Sequence, residues 1–182
     1  MNGKTERRER ALQCFAEDLH CSQSILAAFS EECGITEEQA FRLGSCFGSG
    51  MRKGDVCGAC TGALMVLGLM YGEIRAGDRE GRQRTNELND LMMNRFSEVN
   101  GSCLCNDLLG CDIRTPEGVQ YARDNHLFTE FCPKMVESAV RILEEIIQSR
   151  SDSTHDSITF SDRNKSSGNC SSVISSGFFS QK

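Results

Sequence analysis

Between Val56 and Tyr71 the chain carries no charged residue, and this run constrains the fold more than any other segment. It is shorter than the roughly 20 apolar residues of a membrane-spanning helix, and Gly58, Gly62 and Gly68 punctuate it. A helix that is apolar on every side must be buried, so other helices have to surround it. No stretch alternates at the period of a strand. Both prolines, Pro116 and Pro133, stand where helices begin. These features predict an all-α fold: a compact single-domain bundle of about six to seven helices over residues 1–150.

Leu12, Phe15, Leu19, Leu26 and Phe29 put an apolar stripe on a first helical region from about Thr5 to Glu32, with an interruption near His20 and a stop at Gly34. Thr36-Glu37-Glu38-Gln39 has the capping-box pattern. Gly44, Gly48, Gly50 and Gly54 predict a loop with several positive-φ positions. Asp55 is expected to cap the uncharged helix, where Gly58 and Gly62 leave room for a partner helix. A charged helix from Asp78 to Val99 turns Leu88, Leu91, Met92 and Phe96 inward and closes at Asn100-Gly101. Ser102 is expected to open a short helix ending at Gly110, Thr115-Pro116 another, and Thr129 the last. Residues 151–182 hold 11 serines and no periodic apolar pattern, so they are expected to form a disordered tail.

A net charge of −6 and a pI near 5.2 argue against binding nucleic acid or an anionic membrane. The start, MNGKTERRERAL, has no apolar run behind it, so no secretory signal is read and a cytoplasmic location is expected. Eleven cysteines in such a chain, an odd number, point to metal binding or redox chemistry rather than stapling. Cys57, Cys105 and Cys132 each fall in the first turn of an expected helix. There, unpaired N–H groups and the positive end of the helix dipole favour a thiolate, the form that attacks and ligates. Cys57-Gly58-Ala59-Cys60 is also a CxxC, a spacing that permits a reversible disulfide. No His follows Cys60, which excludes c-type haem attachment at this motif, and there is no second CxxC for a zinc ribbon. Cys14, Cys33, Cys46, Cys103 and Cys111 read as packing residues, as do Met65, Met70, Met92 and Met93. His20 reads as a surface residue, and Arg52 and Lys53 as loop charges beside the CxxC. The glycine-rich stretch lacks the GK[ST] ending of a phosphate loop.

With these residues in place, the stretch CFGSGMRKGDVCGACTGALMVLGLMYG resembles the core motif of the C-GCAxxG-C-C family, described as redox-active proteins, read here as Cys57-Gly58-Ala59-x-x-Gly62. The upstream family cysteine corresponds to Cys21 in HCSQSILAAF. The downstream ones correspond to Cys105 in CNDLLGCDIRTPEG and Cys132 in FCPKMVESAVRIL. The resemblance spans roughly residues 10 to 148 and implies a compact helical domain with redox chemistry. Cys60 occupies a variable position of the motif, His20 replaces a frequent Asn, and Cys103 lies two residues from Cys105.

Three functions compete at this stage. Electron transfer through an iron–sulfur cluster would use Cys21, Cys57, Cys105 and Cys132 as ligands. Thiol/disulfide exchange would use Cys57 as nucleophile, with Cys60 or a spatial neighbour resolving, and a depressed Cys57 pKa. A non-catalytic module would hold structural zinc on the same four cysteines. The first two imply a redox partner protein.

Overall fold

The structure is a computed structural model, and it describes residues 3–154, with side chains for residues 5–150. Eight α-helices follow one another: α1 Gly3–Ala16, α2 Cys21–Ala28, α3 Glu37–Gly44, α4 Gly58–Tyr71, α5 Arg79–Asn100, α6 Cys105–Leu109, α7 Pro116–Asp124 and α8 Cys132–Thr154. Among the described residues there is no strand, only an isolated antiparallel bridge between Val56 and Leu104. No helix among them is long and apolar enough to cross a membrane.

The uncharged run forms α4, and its Ala59, Cys60, Ala63, Val66 and Leu67 are buried. α2 packs on one side of it and α5 on another, while α8 lies against α1, α2, α4 and α5. Helical spacing explains each buried face. α5 contributes Leu88, Met92 and Phe96, and α8 contributes Val136, Val140, Leu143 and Ile146, at steps of three and four. Burying each of the larger side chains stabilises the fold by about 1.5–3 kcal/mol relative to exposure. Leu91, expected inward, is 37% exposed, because it is displaced around the helix from the Leu88–Met92–Phe96 stripe.

α2 and α4 approach closely because α4 lacks side chains at the crossing. A Cβ on Gly62 would stand 2.9 Å from the Ile25 Cβ and 3.0 Å from the Ser22 Cα. A Cβ on Gly58 would stand 3.2 Å from the Cys21 Cβ. The expected partner helix is therefore α2, and the contact brings the start of α2 to the start of α4.

The first helical region is split. Asp18 takes a φ of 70° and separates α1 from α2, giving one helix more than the upper expectation. Several boundaries follow the local chemistry. Thr36 accepts from the Gln39 N–H, Thr115 from the Gly118 N–H, and Gly101 closes α5 at a φ of 90°. α8 continues to Thr154, past the expected limit at residue 150. The remaining tail, with Cys170, lies outside the described residues.

Three expected caps are not used. α4 begins after Cys57 rather than Asp55, α6 at Cys105 rather than beside Ser102, and α8 at Cys132 rather than beside Thr129. The reason is competition for backbone hydrogen bonds. The Asp55 carbonyl accepts from the Cys105 N–H at 2.7 Å, which holds residues 55–57 extended. The Ser102 hydroxyl donates to Asp107 and accepts from the Leu104 N–H. Thr129 lies in a wide turn, Leu127–Phe131, where its hydroxyl donates to the His126 carbonyl.

Candidate functional site

Each of the four cysteines singled out by the motif stands at a helix start. Cys21, Cys105 and Cys132 are the first residues of α2, α6 and α8, and Cys57 precedes the first residue of α4. The chain reaches these positions by different local devices. His20 is extended before α2, and its N–H donates to the Gln23 side chain at 2.9 Å. The Cys132 N–H donates to the Leu127 carbonyl across the wide turn, which follows His126 at a φ of 56°.

The approach to Cys57 is the most strained part of the backbone. Ser49, Gly50, Met51 and Arg52 have φ of 54°, 56°, 54° and 58°, a left-handed turn that costs each non-glycine residue about 1–2 kcal/mol. Gly54 follows at a φ of 68°, and a Cβ there would stand within 2.1 Å of the Asn106 side chain. Asn106 accepts from the Ile113 N–H and donates to Asp112. The turn thus sets residues 54–57 against the segment that carries Cys103 and Cys105.

The backbone there forms a short two-stranded ribbon. The Cys57 N–H donates to the Cys103 carbonyl at 2.8 Å, and the Cys105 N–H to the Asp55 carbonyl. Cys57 and Cys105 are 4% and 7% exposed, and Cys132 is 9% exposed. Cys21 is half-buried.

The sulfurs of all four influence one another. Cys21 and Cys132 are each the leading influence on the other's proton, and Cys57 and Cys105 act on Cys21 electrostatically. Cys132 in turn acts on Cys57 and Cys105. Cys103 and Cys60 join through Cys57, and Cys111 through Cys105.

Protonation divides this group. The Cys21 thiol holds the Cys132 pKa below its ordinary value, against the effect of burial. The same pairing, followed by burial and the neighbouring sulfurs, raises Cys21 well above the ordinary value. Of the two, Cys132 is therefore the one that loses its proton more readily. Cys57 goes the other way. Burial pushes it up to about 11, although the N–H groups of Ala59 and Cys60 pull it down. A depressed Cys57 pKa was expected from its helix start, and desolvation outweighs that effect. Burial is also the main cause that pushes Cys60 and Cys105 up to about 12.

The remaining candidates sort simply. Cys14 is fully buried, Cys33 partly buried, and Cys46 exposed rather than packed. Met92 is fully buried, and Met65, Met70 and Met93 pack against the core. The His20 side chain is exposed and lies over Gly48. Arg52 and Lys53 are exposed on the left-handed turn. Reading Cys103 as packing alone missed its place in the ribbon. The CxC spacing of Cys103 and Cys105 was the signal, because alternate residues of an extended segment share a face.

Four thiols are a suitable donor set for a metal centre. Among the described residues, however, no group of three or more His, Cys, Asp or Glu side chains is disposed to hold a metal ion. As folded, the thiols do not form a closed site for one ion.

No curated protein and no solved structure matches the chain. A family model described as "Putative redox-active protein (C_GCAxxG_C_C)" matches residues 19–146, well over half of its length. The chain, with its four helix-start cysteines, belongs to the C_GCAxxG_C_C family.

Proposed function

We propose that the protein is a thiol/disulfide redox protein in which Cys132 is the attacking thiolate and Cys21 the resolving thiol. The observation that carries this reading is the pairing of two helix-start cysteines, Cys21 at the head of α2 and Cys132 at the head of α8, each the leading influence on the other's proton, with the Cys132 pKa lowered and that of Cys21 raised. A thiolate is the nucleophile in exchange, and a neighbouring thiol completes the reaction.

The substrate is a disulfide on a partner protein. The Cys132 thiolate attacks one of its sulfurs, the partner's S–S bond breaks, and a mixed disulfide forms while the other sulfur leaves as a thiolate. Cys21 passes its proton to that leaving thiolate and attacks the Cys132 sulfur. The partner then leaves through its second sulfur, which takes up a proton from solvent. The partner gains two electrons as two thiols, and this chain loses them as a Cys21–Cys132 disulfide.

The test is alkylation of the reduced full chain at neutral pH, with each cysteine followed by peptide mass spectrometry. Cys132 should react well ahead of Cys57 and Cys60, and a disulfide-bearing reagent should leave a Cys21–Cys132 bridge. Equal rates at Cys132 and a free peptide thiol, with no such bridge, contradict the proposal.

One observation favours a second reading, electron transfer through an iron–sulfur cluster. Four thiols from four helix starts lie within electrostatic reach of one another, and four thiolates saturate such a cluster. Protein purified without oxygen would then be brown and contain iron and sulfide. Colourless protein lacking both would remove this reading.

A further inference from the structure

Cys103 stands directly across the ribbon from Cys57. The hydrogen bonds from Cys57 to Cys103 and from Cys105 to Asp55 flank the Val56–Leu104 bridge, which makes that bridge a non-hydrogen-bonded pair. The next pair in register is Cys57 with Cys103. Side chains alternate along such a ribbon, so Val56 and Leu104 share one face, and Cys57, Cys103 and Cys105 share the other. Leu104 is 39% exposed on its face, whereas Cys57 is buried in the main hydrophobic core and Cys103 packs against that core, as Val56 does at the edge of the ribbon. Opposed residues at this kind of position have Cα atoms about 5.5 Å apart, inside the range of about 4.4–6.8 Å that a disulfide spans.

We propose that Cys57 and Cys103 form a second reversible disulfide couple, so that the chain carries two two-electron thiol centres. The couple shares the exchange chemistry of the proposed function but none of its residues. Cys103 is the point of entry because it is half-buried, while Cys57 is 4% and Cys60 fully enclosed. Cys103, as a thiolate after losing its proton to solvent, attacks a disulfide such as oxidised glutathione. One glutathione leaves as a thiolate and takes up a proton, and a mixed disulfide remains on Cys103. Cys57 then loses its proton and attacks the Cys103 sulfur, and the second glutathione departs as a thiol. Two electrons pass from the pair to the glutathione, and a Cys57–Cys103 bond is left.

The experiment treats the reduced full chain with oxidised glutathione, blocks free thiols with iodoacetamide and digests with trypsin. Cys57 and Cys60 lie in peptide 54–75, and Cys103, Cys105 and Cys111 in peptide 96–114. The expected product joins these two peptides, with fragmentation placing the bridge at Cys57 and Cys103. It should vanish in Cys103→Ser and persist in Cys60→Ser and Cys105→Ser. An internal Cys57–Cys60 bridge, a bridge at Cys105, or no link between the peptides overturns the proposal. The fragmentation readout uses the unaltered protein, so a variant that fails to fold does not decide the matter. The Cys21–Cys132 bridge joins peptides 11–42 and 124–134, so either couple can fail without the other.

Discussion

Cys132 and Cys57 occupy equivalent places, each at the start of a long helix and each almost fully enclosed, yet their protons are held in opposite ways. Cys132 has its pKa lowered and Cys57 has it pushed up to about 11. The helix terminus is common to both, so it does not decide the outcome. What differs is the neighbour. Cys132 is paired with a second thiol, Cys21, whose influence on it exceeds that of burial. Cys57 has two backbone N–H groups, whose effect is smaller than the cost of burying a charge. A helix start makes a cysteine a candidate, and a neighbouring thiol that outweighs burial lowers its pKa.

The most severe way to break this contrast is Cys132→Ser. Formation of a disulfide at Cys21 by a small disulfide reagent at neutral pH should fall by about 100-fold or more, because Cys21, Cys57 and Cys105 all have raised pKa values. The same substitution at Cys60 should leave that initial rate close to unchanged. Peptide mass spectrometry of acid-quenched time points checks both. If Cys60→Ser lowered the rate as far as Cys132→Ser, the contrast would be wrong.

Cys21→Ala sharpens it. Without that thiol, burial alone acts on Cys132, so its pKa should rise and the midpoint of its alkylation-versus-pH curve should move upward. The curve for Cys57 should move far less, since Cys21 is not the leading influence on it.

Gly62→Ala tests the packing that brings the two regions together. Its new methyl would meet Ile25 and the backbone of Ser22. Overpacking of this kind costs about 1–3 kcal/mol, read as a lower urea midpoint. The displaced α2 should also slow Cys132 alkylation, because Cys21 rides on that helix.

The pH dependence of stability has opposite signs in the two regions. Below about pH 9, Cys57, Cys60 and Cys105 are protonated whether the chain is folded or not. Above it, the unfolded chain releases protons that the folded chain keeps. Stability should therefore fall toward pH 11–12, by up to about 1.4 kcal/mol per pH unit for each such thiol. Cys132 contributes in the other direction. Its stabilisation is present above the unfolded pKa and is lost as pH falls through the lower folded value. Denaturation series from pH 7 to 11 on wild type and Cys60→Ala check the alkaline limb, which should be shallower in the variant.

The smallest effect is a control outside both regions. Thr36→Ala removes the α3 cap, where the hydroxyl accepts from the Gln39 N–H, and should cost about 1 kcal/mol. Alkylation rates at Cys132 and Cys57 should not change.

The sequence by itself determined the helical class, the burial of α4 and the stops at Gly101 and Gly110, because these follow from hydropathy periods and local backbone preferences. It also marked Gly58 and Gly62 as a close-contact face and picked out Cys21, Cys57, Cys105 and Cys132. Tertiary structure decided the rest. The caps at Asp55, Ser102 and Thr129 were displaced because backbone groups far apart in the chain took up the local hydrogen bonds, as Asp55 and Cys105 do. Cys103 gained its place only when the left-handed turn and Asn106 set one loop against another. The division of protons between Cys132 and Cys57 is likewise not local: desolvation and a neighbouring thiol are properties of what packs around a sulfur, and both are set by helices remote in the chain.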